Sequence, residues 1–213
     1  MFTKAEALAE RFGATLPVEA VAPTYNAAPS QAQLVIRNDA PQTISRAVWG
    51  FVPEWAAGRS DVKPLINARA ETVAEKPFFR DAFKKKRCLV LADGFYEWRR
   101  TRDGKVPYRI ALKSEEPFAF AGIWSSIASV DGTPQITFAI LTTDANELVA
   151  QIHTRMPVML RPEDEENWLG KELPLEAAQK LLVPYPAHLL TAYQVSPKVN
   201  APANNTPEVM QRI

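Results

Sequence analysis

The 213-residue sequence contains a single cysteine, Cys88, and two histidines, His153 and His188. One thiol excludes an internal disulfide framework, and so few Cys and His exclude a zinc site built from four such ligands. Nucleophile and imidazole chemistry therefore has few places to sit. Charge of one sign is equally scarce, since 25 Lys and Arg against 24 Asp and Glu leave a formal net charge of +1. Proteins that coat nucleic acid by bulk charge carry a large basic excess, so any such contact here requires a local patch. There is no run of about 18 apolar residues, and no membrane span is expected. The first residues, Met1-Phe2-Thr3-Lys4-Ala5-Glu6, lack the basic region and apolar run of a signal peptide. With a single thiol, this makes a reducing, cytoplasmic compartment the expectation. Phosphate-loop, dinucleotide-binding, H-E-x-x-H and G-x-S-x-G motifs are absent, so neither a cofactor nor a metal is expected.

What is present is a chain able to fold. Hydrophobic residues make up 46% and charged residues 23%, enough apolar material for a core and too much for intrinsic disorder. The 18 prolines are dispersed, which points to many short elements punctuated by turns. Residues 3–12 read as a helix, with Thr3 and Glu6 as a capping box, Ala5, Leu8, Ala9 and Phe12 as an apolar stripe and Gly13 as its stop. Strand-like runs follow at 34–36 and 47–51. Residues 53–71 have no clear period and read as a long loop, a kind of segment that is usually functional or mobile. A short helix is expected over 76–86, with Pro77 in its first turn. Residues 88–98 and 106–113 flank Asp103-Gly104, and 118–125 and 135–141 flank Asp131-Gly132, two hairpin signals that suggest a β-meander. Helical stretches are expected at 144–151, 162–170 and 174–183, a last strand at 190–195, and then a polar tail. The expectation is one β-rich α+β domain over residues 1–213, a barrel-like mixed sheet with peripheral helices.

Three polar positions stand out. Glu97 lies in Asp93-Gly94-Phe95-Tyr96-Glu97-Trp98. If strand alternation runs unbroken from Leu89, then Leu89, Leu91, Asp93, Phe95 and Glu97 share one face. A carboxylate on an apolar face is held protonated to higher pH, which suits proton transfer. The bland alternative is a bulge at Asp93-Gly94, with Glu97 in water or paired with Arg99. His153, in Ile152-His153-Thr154-Arg155-Met156-Pro157, sits just past an expected helix, where a histidine is commonly a cap or a surface residue. Asn67 and Arg69, two apart in the long loop, present a donor pair on one side of an extended backbone, or else a turn asparagine and a surface arginine. His188 has no context that suggests a role. Basic runs at Lys84-Lys85-Lys86-Arg87 and Arg99-Arg100…Arg102 are of a kind that usually forms solvated faces; with Trp98, Trp55 and Trp49 nearby they would instead suit single-stranded nucleic acid.

Five segments occur in a telling order: Tyr25-Asn26-Ala27-Ala28-Pro29, Trp49-Gly50-Phe51-Val52-Pro53, Leu65-Ile66-Asn67-Ala68-Arg69-Ala70-Glu71-Thr72, the stretch from Arg87 to Trp98, and Ile152-His153-Thr154-Arg155-Met156-Pro157. Together they resemble the SOS-response-associated peptidase (SRAP) family, whose members protect abasic sites in single-stranded DNA. The resemblance runs over essentially the whole chain. It implies a covalent DNA–protein crosslink: the α-amine of a cysteine that follows the initiator methionine attacks the ring-opened sugar aldehyde, and its thiol closes a thiazolidine. An α-amine with a pKa near 8 is partly unprotonated at neutral pH and is a competent nucleophile. By the same resemblance Asn67 holds the amine and the sugar, Glu97 shuttles protons during imine formation and methionine removal, and His153 assists ring opening and reversal. Arg69 and Arg155 bind phosphates, Trp55 and Pro29 wedge or stack against flanking bases, and Thr142 supports the sugar. The implied partner is single-stranded DNA carrying abasic sites, also at strand junctions, bound by a monomer. The peptidase label is best met by self-removal of the leading methionine, because no activated Ser, Cys or metal is available to attack another protein.

One departure stands against these matches. The family begins Met-Cys-Gly-Arg and then an aromatic residue, whereas this sequence begins Met1-Phe2-Thr3. Phe2 aligns with the aromatic residue, so Cys-Gly-Arg is missing. Cys88 lies inside an expected strand and reads as a buried small hydrophobe, not as a substitute. Either the start is altered, or the chain is a relative that has lost its nucleophile and only binds DNA. Retention of Asn67, Glu97 and His153 favours the first.

Overall fold

The computed structural model describes residues 3–16, 22–128 and 132–213. Helix α1 (Ala5–Phe12) turns Leu8 inward and ends at Gly13, whose φ of 57° is the left-handed stop read from the sequence. The capping box does not form. Lys4 is the N-cap residue, and Thr3 gives both its backbone N–H and its hydroxyl to Asp93 Oδ2, each at 2.9 Å. A distant carboxylate takes the Thr3 N–H that a capping box gives to Glu6, and turns into a donor the hydroxyl that a capping box uses as an acceptor.

Strands β1 (Ala32–Arg37) and β2 (Ala40–Trp49) form a hairpin. Residues 53–71 are less irregular than expected, with a 3-10 turn at Glu54–Ala56 and the short strand β3 (Asn67–Arg69). The helix expected over 76–86 is confined to α2 (Arg80–Lys85), its upstream half being turns. The long strand expected over 88–98 is two strands, β4 (Arg87–Ala92) and β5 (Phe95–Thr101). They belong to different sheets, so alternation is broken at Asp93-Gly94. β5 turns through Arg102-Asp103 into β6 (Gly104–Leu112), as the Asp-Gly signal anticipated. β7 (Phe118–Ala128) and β8 (Pro134–Asp144) are antiparallel partners; Asp131 of the second signal lies outside the described residues.

The helix expected at 144–151 is only a 3-10 turn at Val149–Gln151. Buried Asn146 explains this: its Oδ1 accepts from Val149 N–H and its Nδ2 donates to Tyr185 O, fixing a bend. β9 (Arg155–Pro157), α3 (Pro162–Leu169), α4 (Leu175–Lys180) and β10 (Leu190–Gln194) follow. The polar tail forms 3-10 turns at Pro197–Asn200 and Pro207–Met210.

Five strands close on themselves in the order β2-β1-β4-β7-β8, and the ring is completed by a parallel contact between β2 and β8 (Val48 with Thr137, Trp49 with Phe138). β3 and β9 extend β8. This is the barrel-like mixed sheet anticipated above. A second sheet, in the order β10-β6-β5, packs against it. β4 is buried along its whole length: Leu89 and Leu91 face the helices with Phe83 and Trp168, while Cys88, Val90 and Ala92 face Phe120, Phe138 and Ile110. Strands covered on both faces read as continuous apolar runs. Arg87, last of the basic run, is not solvated but 1% exposed. Its guanidinium donates to the carbonyls of Phe83, Lys84, Trp168 and Gly170, binding the C-terminal ends of α2 and α3 to the start of β4.

Candidate active site

A cavity of about 640 Å³ opens between the barrel and the three-stranded sheet. Its apolar lining includes Val90, Phe120 and Ile140, side chains that the strand period aims away from the helices. Of the residues singled out in the sequence, Pro29, Asn67, Arg69, Glu97, Thr142, His153 and Arg155 all line it. Trp55 does not. It stands 56% exposed on the 3-10 turn, edge-on to Phe78 and under the Arg59 guanidinium.

β3 explains the first pair. It runs parallel to β8 with Asn67 beside Ile140 and Arg69 beside Thr142, and its exposed–buried–exposed pattern sends Ala68 into the core. Asn67 and Arg69 therefore lie on one side of an extended backbone, as their spacing suggested. The Asn67 amide has no hydrogen-bond partner among the described residues and is available to a ligand. Arg155 is not free in the same way. Its guanidinium grips Glu71 through two bonds of 2.7 and 2.9 Å, reaches Asp144 at 2.7 Å and donates to Thr142 O at 2.6 Å. The pairing holds the Glu71 carboxyl below its ordinary range and raises Arg155. A phosphate at Arg155 has to compete with two carboxylates, both substantially exposed.

Glu97 owes its place to the break at Asp93-Gly94. A Cβ on Gly94 would stand 2.6 Å from an Arg109 guanidinium nitrogen, so any larger residue displaces this buried, hydrogen-bonded arginine. Arg109 donates to Asp93 O at 2.7 Å and to Tyr193 Oη at 3.1 Å, while its guanidinium lies 3.8 Å from the Asp93 carboxylate that also holds Thr3. Past this knot β5 directs Glu97 into the cavity. Burial pushes the Glu97 carboxyl up, and the nearby His153 and the Trp98 N–H act the other way. His153 Nδ1 lies 4.0 Å from Glu97 Oε1. The same nitrogen is 3.1 Å from Arg155 N–H and 3.0 Å from Arg155 O, so it accepts when neutral and donates when protonated. An acid whose hold on its proton is strengthened by burial, beside an imidazole, is equipped to move protons at a bound carbonyl. No three Cys, His, Asp or Glu side chains converge on a metal position among the described residues.

Sequence reasoning missed two parts of this site. One is the Asp93–Arg109–Tyr193 knot, assembled from the bend between β4 and β5 and from strands β6 and β10. The other is the tail: Val199, Asn200, Pro202 and Met210 form part of the lining. Buried Asn26 holds the tail there, donating from Nδ2 to the carbonyls of Val199, Ala201 and Asn204 at 3.0 to 3.2 Å. Asn205 Oδ1 returns the contact by accepting from Tyr25 and Asn26 N–H. Asn26→Ala is expected to cost about 2 kcal/mol by leaving the buried Val199 carbonyl unsatisfied and removing two further ties, and to render residues 197–213 sensitive to limited proteolysis. A tail as resistant as the parent's would refute its role as a tie.

A family profile described as SOS response associated peptidase (SRAP) matches residues 1–202. The chain belongs to this family. It is 44% identical to the abasic site processing protein YoqW of Bacillus subtilis, over 99% of this chain and 96% of that protein. Identity to the abasic site processing protein YedK of Escherichia coli is 30%, covering 89% and 84% of the two chains. A crystal structure of a protein from Bacteroides thetaiotaomicron superposes with a TM-score of 0.90 at 31% identity, covering 100% of this chain and 97% of the other. For this SRAP chain no helix among the described residues is long and apolar enough to cross a membrane.

Proposed function

We propose that the cavity receives an abasic site in single-stranded DNA and that the terminal α-amine of the chain captures the open-chain aldehyde. The observation that carries this is the tether of Thr3 to Asp93 in the wall of a cavity that also contains Asn67, Glu97 and His153. Thr3 is thereby anchored at the wall of the cavity in which these side chains stand. The names of the relatives, abasic site processing proteins, agree with it.

The chemistry balances with the groups available. His153 takes the hydroxyl proton of the cyclic sugar as the bond from C1′ to the ring oxygen breaks, and that oxygen takes the proton back, leaving the open-chain aldehyde. The amine nitrogen attacks the carbonyl carbon and passes one proton to its oxygen to give a carbinolamine; Glu97 then gives its proton to the departing hydroxyl and recovers one from the nitrogen as water leaves an imine. Where a cysteine carries that amine, its thiol adds to the imine carbon, its proton passes to nitrogen, and a thiazolidine closes. Asn67 orients amine and sugar, Thr142 supports the sugar, Arg69 and Arg155 meet flanking phosphates, and Pro29 stacks on a base; Trp55 meets one only beyond the cavity. The same Glu97 serves removal of a leading methionine. Binding without crosslinking is the second reading, favoured by Cys88: it is fully buried, and burial pushes its thiol far above its ordinary range.

Two polypeptides test the proposal: the sequence as given, and one in which Cys-Gly-Arg is placed between Met1 and Phe2. Each is incubated with uracil-excised single-stranded DNA and run on a denaturing gel. The cysteine form is expected to give a persistent slow band, and the sequence as given a band only after borohydride reduction of the imine. Absence of both bands overturns covalent capture in favour of binding alone.

A further inference from the structure

The basic run at Arg99, Arg100 and Arg102 is not used by the site described above. It forms the distal half of the β5–β6 hairpin, where Arg99 pairs with Val106, Arg100 with Lys105 and Thr101 with Gly104. Residues 99–105 are all exposed, and Asp103 is their single acid. Elsewhere Arg155 is paired with Glu71 and Asp144, Arg37 with Asp39 and Arg59 with Asp61. Among the described residues, Arg100, Arg102 and Lys105 have no carboxylate partner, and Arg99 only stacks on Tyr108 at 5.0 Å.

Arg100 and Lys105 are directly opposed across the hairpin. Like charges in that position repel and destabilise the pair of strands, and a bound anion removes the repulsion. Their position says which anion. Two residues nearer the barrel on the same strand face stands Trp98, which lines the cavity and donates its indole N–H to Asn200 Oδ1 at 2.7 Å. The period-2 geometry puts Arg100 about 7 Å beyond Trp98 along that face. A cationic strip thus continues outward from the cavity wall on a chain whose net charge is only +1.

We propose that the β5–β6 hairpin is a backbone-binding finger: Arg100 and Lys105 hold phosphates of the single DNA strand after it leaves the cavity, with Arg102 at the tip and Arg99 on the opposite face. The proposal rests on the DNA-binding function put forward above and extends its footprint past the cavity. Occupant chemistry is set by charge, without base reading, so the finger adds affinity but no sequence preference.

The test uses the full chain, a Lys105→Gln/Arg100→Gln double variant, and a Lys84→Gln/Lys85→Gln double variant that removes equal charge from α2, away from the cavity. Probes are single strands with a central tetrahydrofuran abasic analogue, which binds without reacting, either about five nucleotides long or extended by about ten on each side. Affinity is read by fluorescence anisotropy over a salt series. The parent is expected to bind the long probe more tightly than the short one. The hairpin variant is expected to lose roughly 10- to 30-fold on the long probe near 0.1 M salt, with the salt slope falling by about one to two, and to match the parent on the short probe. It should melt at or above the parent temperature, because a repulsive pair is gone. Equal losses in both double variants, no length dependence, or a lowered melting temperature would each overturn the finger while leaving the cavity proposal standing. A parent that retains neither probe defeats both.

Discussion

Glu97→Gln is expected to slow imine formation by about two to four orders of magnitude while leaving affinity for an unreactive abasic probe within about twofold. Glutamine keeps the shape and polarity of the side chain but has no proton to give to the departing hydroxyl. The carboxyl is suited to this because burial raises its affinity for a proton, so a protonated fraction survives above the usual carboxylate range. The rate should therefore rise and then fall with pH. It is limited at low pH by protonation of the terminal amine and at high pH by loss of the Glu97 proton. In the glutamine variant the high-pH limb disappears and only the amine limb remains. Single-turnover rates from pH 5 to 9 on uracil-excised single-stranded DNA, with borohydride trapping, measure both. An unchanged two-limbed profile in the variant would remove Glu97 from the proton path. Linkage also has a definite sign here. Raised by burial, Glu97 makes the fold less stable as pH climbs from about 4.5 through its folded pKa. Glu71, lowered by Arg155, contributes stability that is lost as pH falls through its folded pKa.

The second large effect concerns stability. Arg87→Ala should cost about 3–5 kcal/mol and lower the melting temperature by roughly 10 °C. Desolvation pushes Arg87 below its ordinary value, yet its guanidinium remains charged, held by carbonyls at two helix ends and stacked 5.7 Å from Trp168. Its removal leaves those carbonyls buried without a donor and opens a hole beneath a tryptophan that itself bonds Cys88 O. Arg87→Lys should recover only part of the loss, since an ammonium cannot address both helix ends in one plane. Calorimetric scans of the three proteins decide this, and a loss below about 1 kcal/mol in the alanine variant would contradict the staple. Arg87 does not line the cavity, so imine formation measured well below the melting transition should be unchanged.

Local patterns exposed most strands and a good share of the helices. Runs of β-branched and aromatic residues mark the barrel strands, and Gly13 and Pro162 bound their helices as written. The division into two sheets was not legible, because it depends on Gly94 passing over Arg109, a residue fifteen positions further along on another strand. Thr3 shows the same limit from the other side: an N–H and a hydroxyl that suit a capping box also suit Asp93, and only the folded chain decides which partner is nearer. Within the site, the spacing of Asn67 and Arg69 carried real geometric content, and their common side follows from it. Glu97 and His153 offered no local signal that they would converge, since one follows a broken strand and the other a 3-10 turn. Family resemblance, not period or propensity, is what pointed to a common site for the two.

The parallel contact that completes the barrel bears on how the protein is made. Val48 can find Thr137 only after β4 and β7, the intervening members of the ring, have been synthesised. Pairings so remote in sequence carry a high loop-closure cost and belong to the slow end of two-state folding. The first hairpin to leave a ribosome thus waits with both outer edges unsatisfied, and ring closure, rather than formation of any single strand, sets the moment at which the cavity exists.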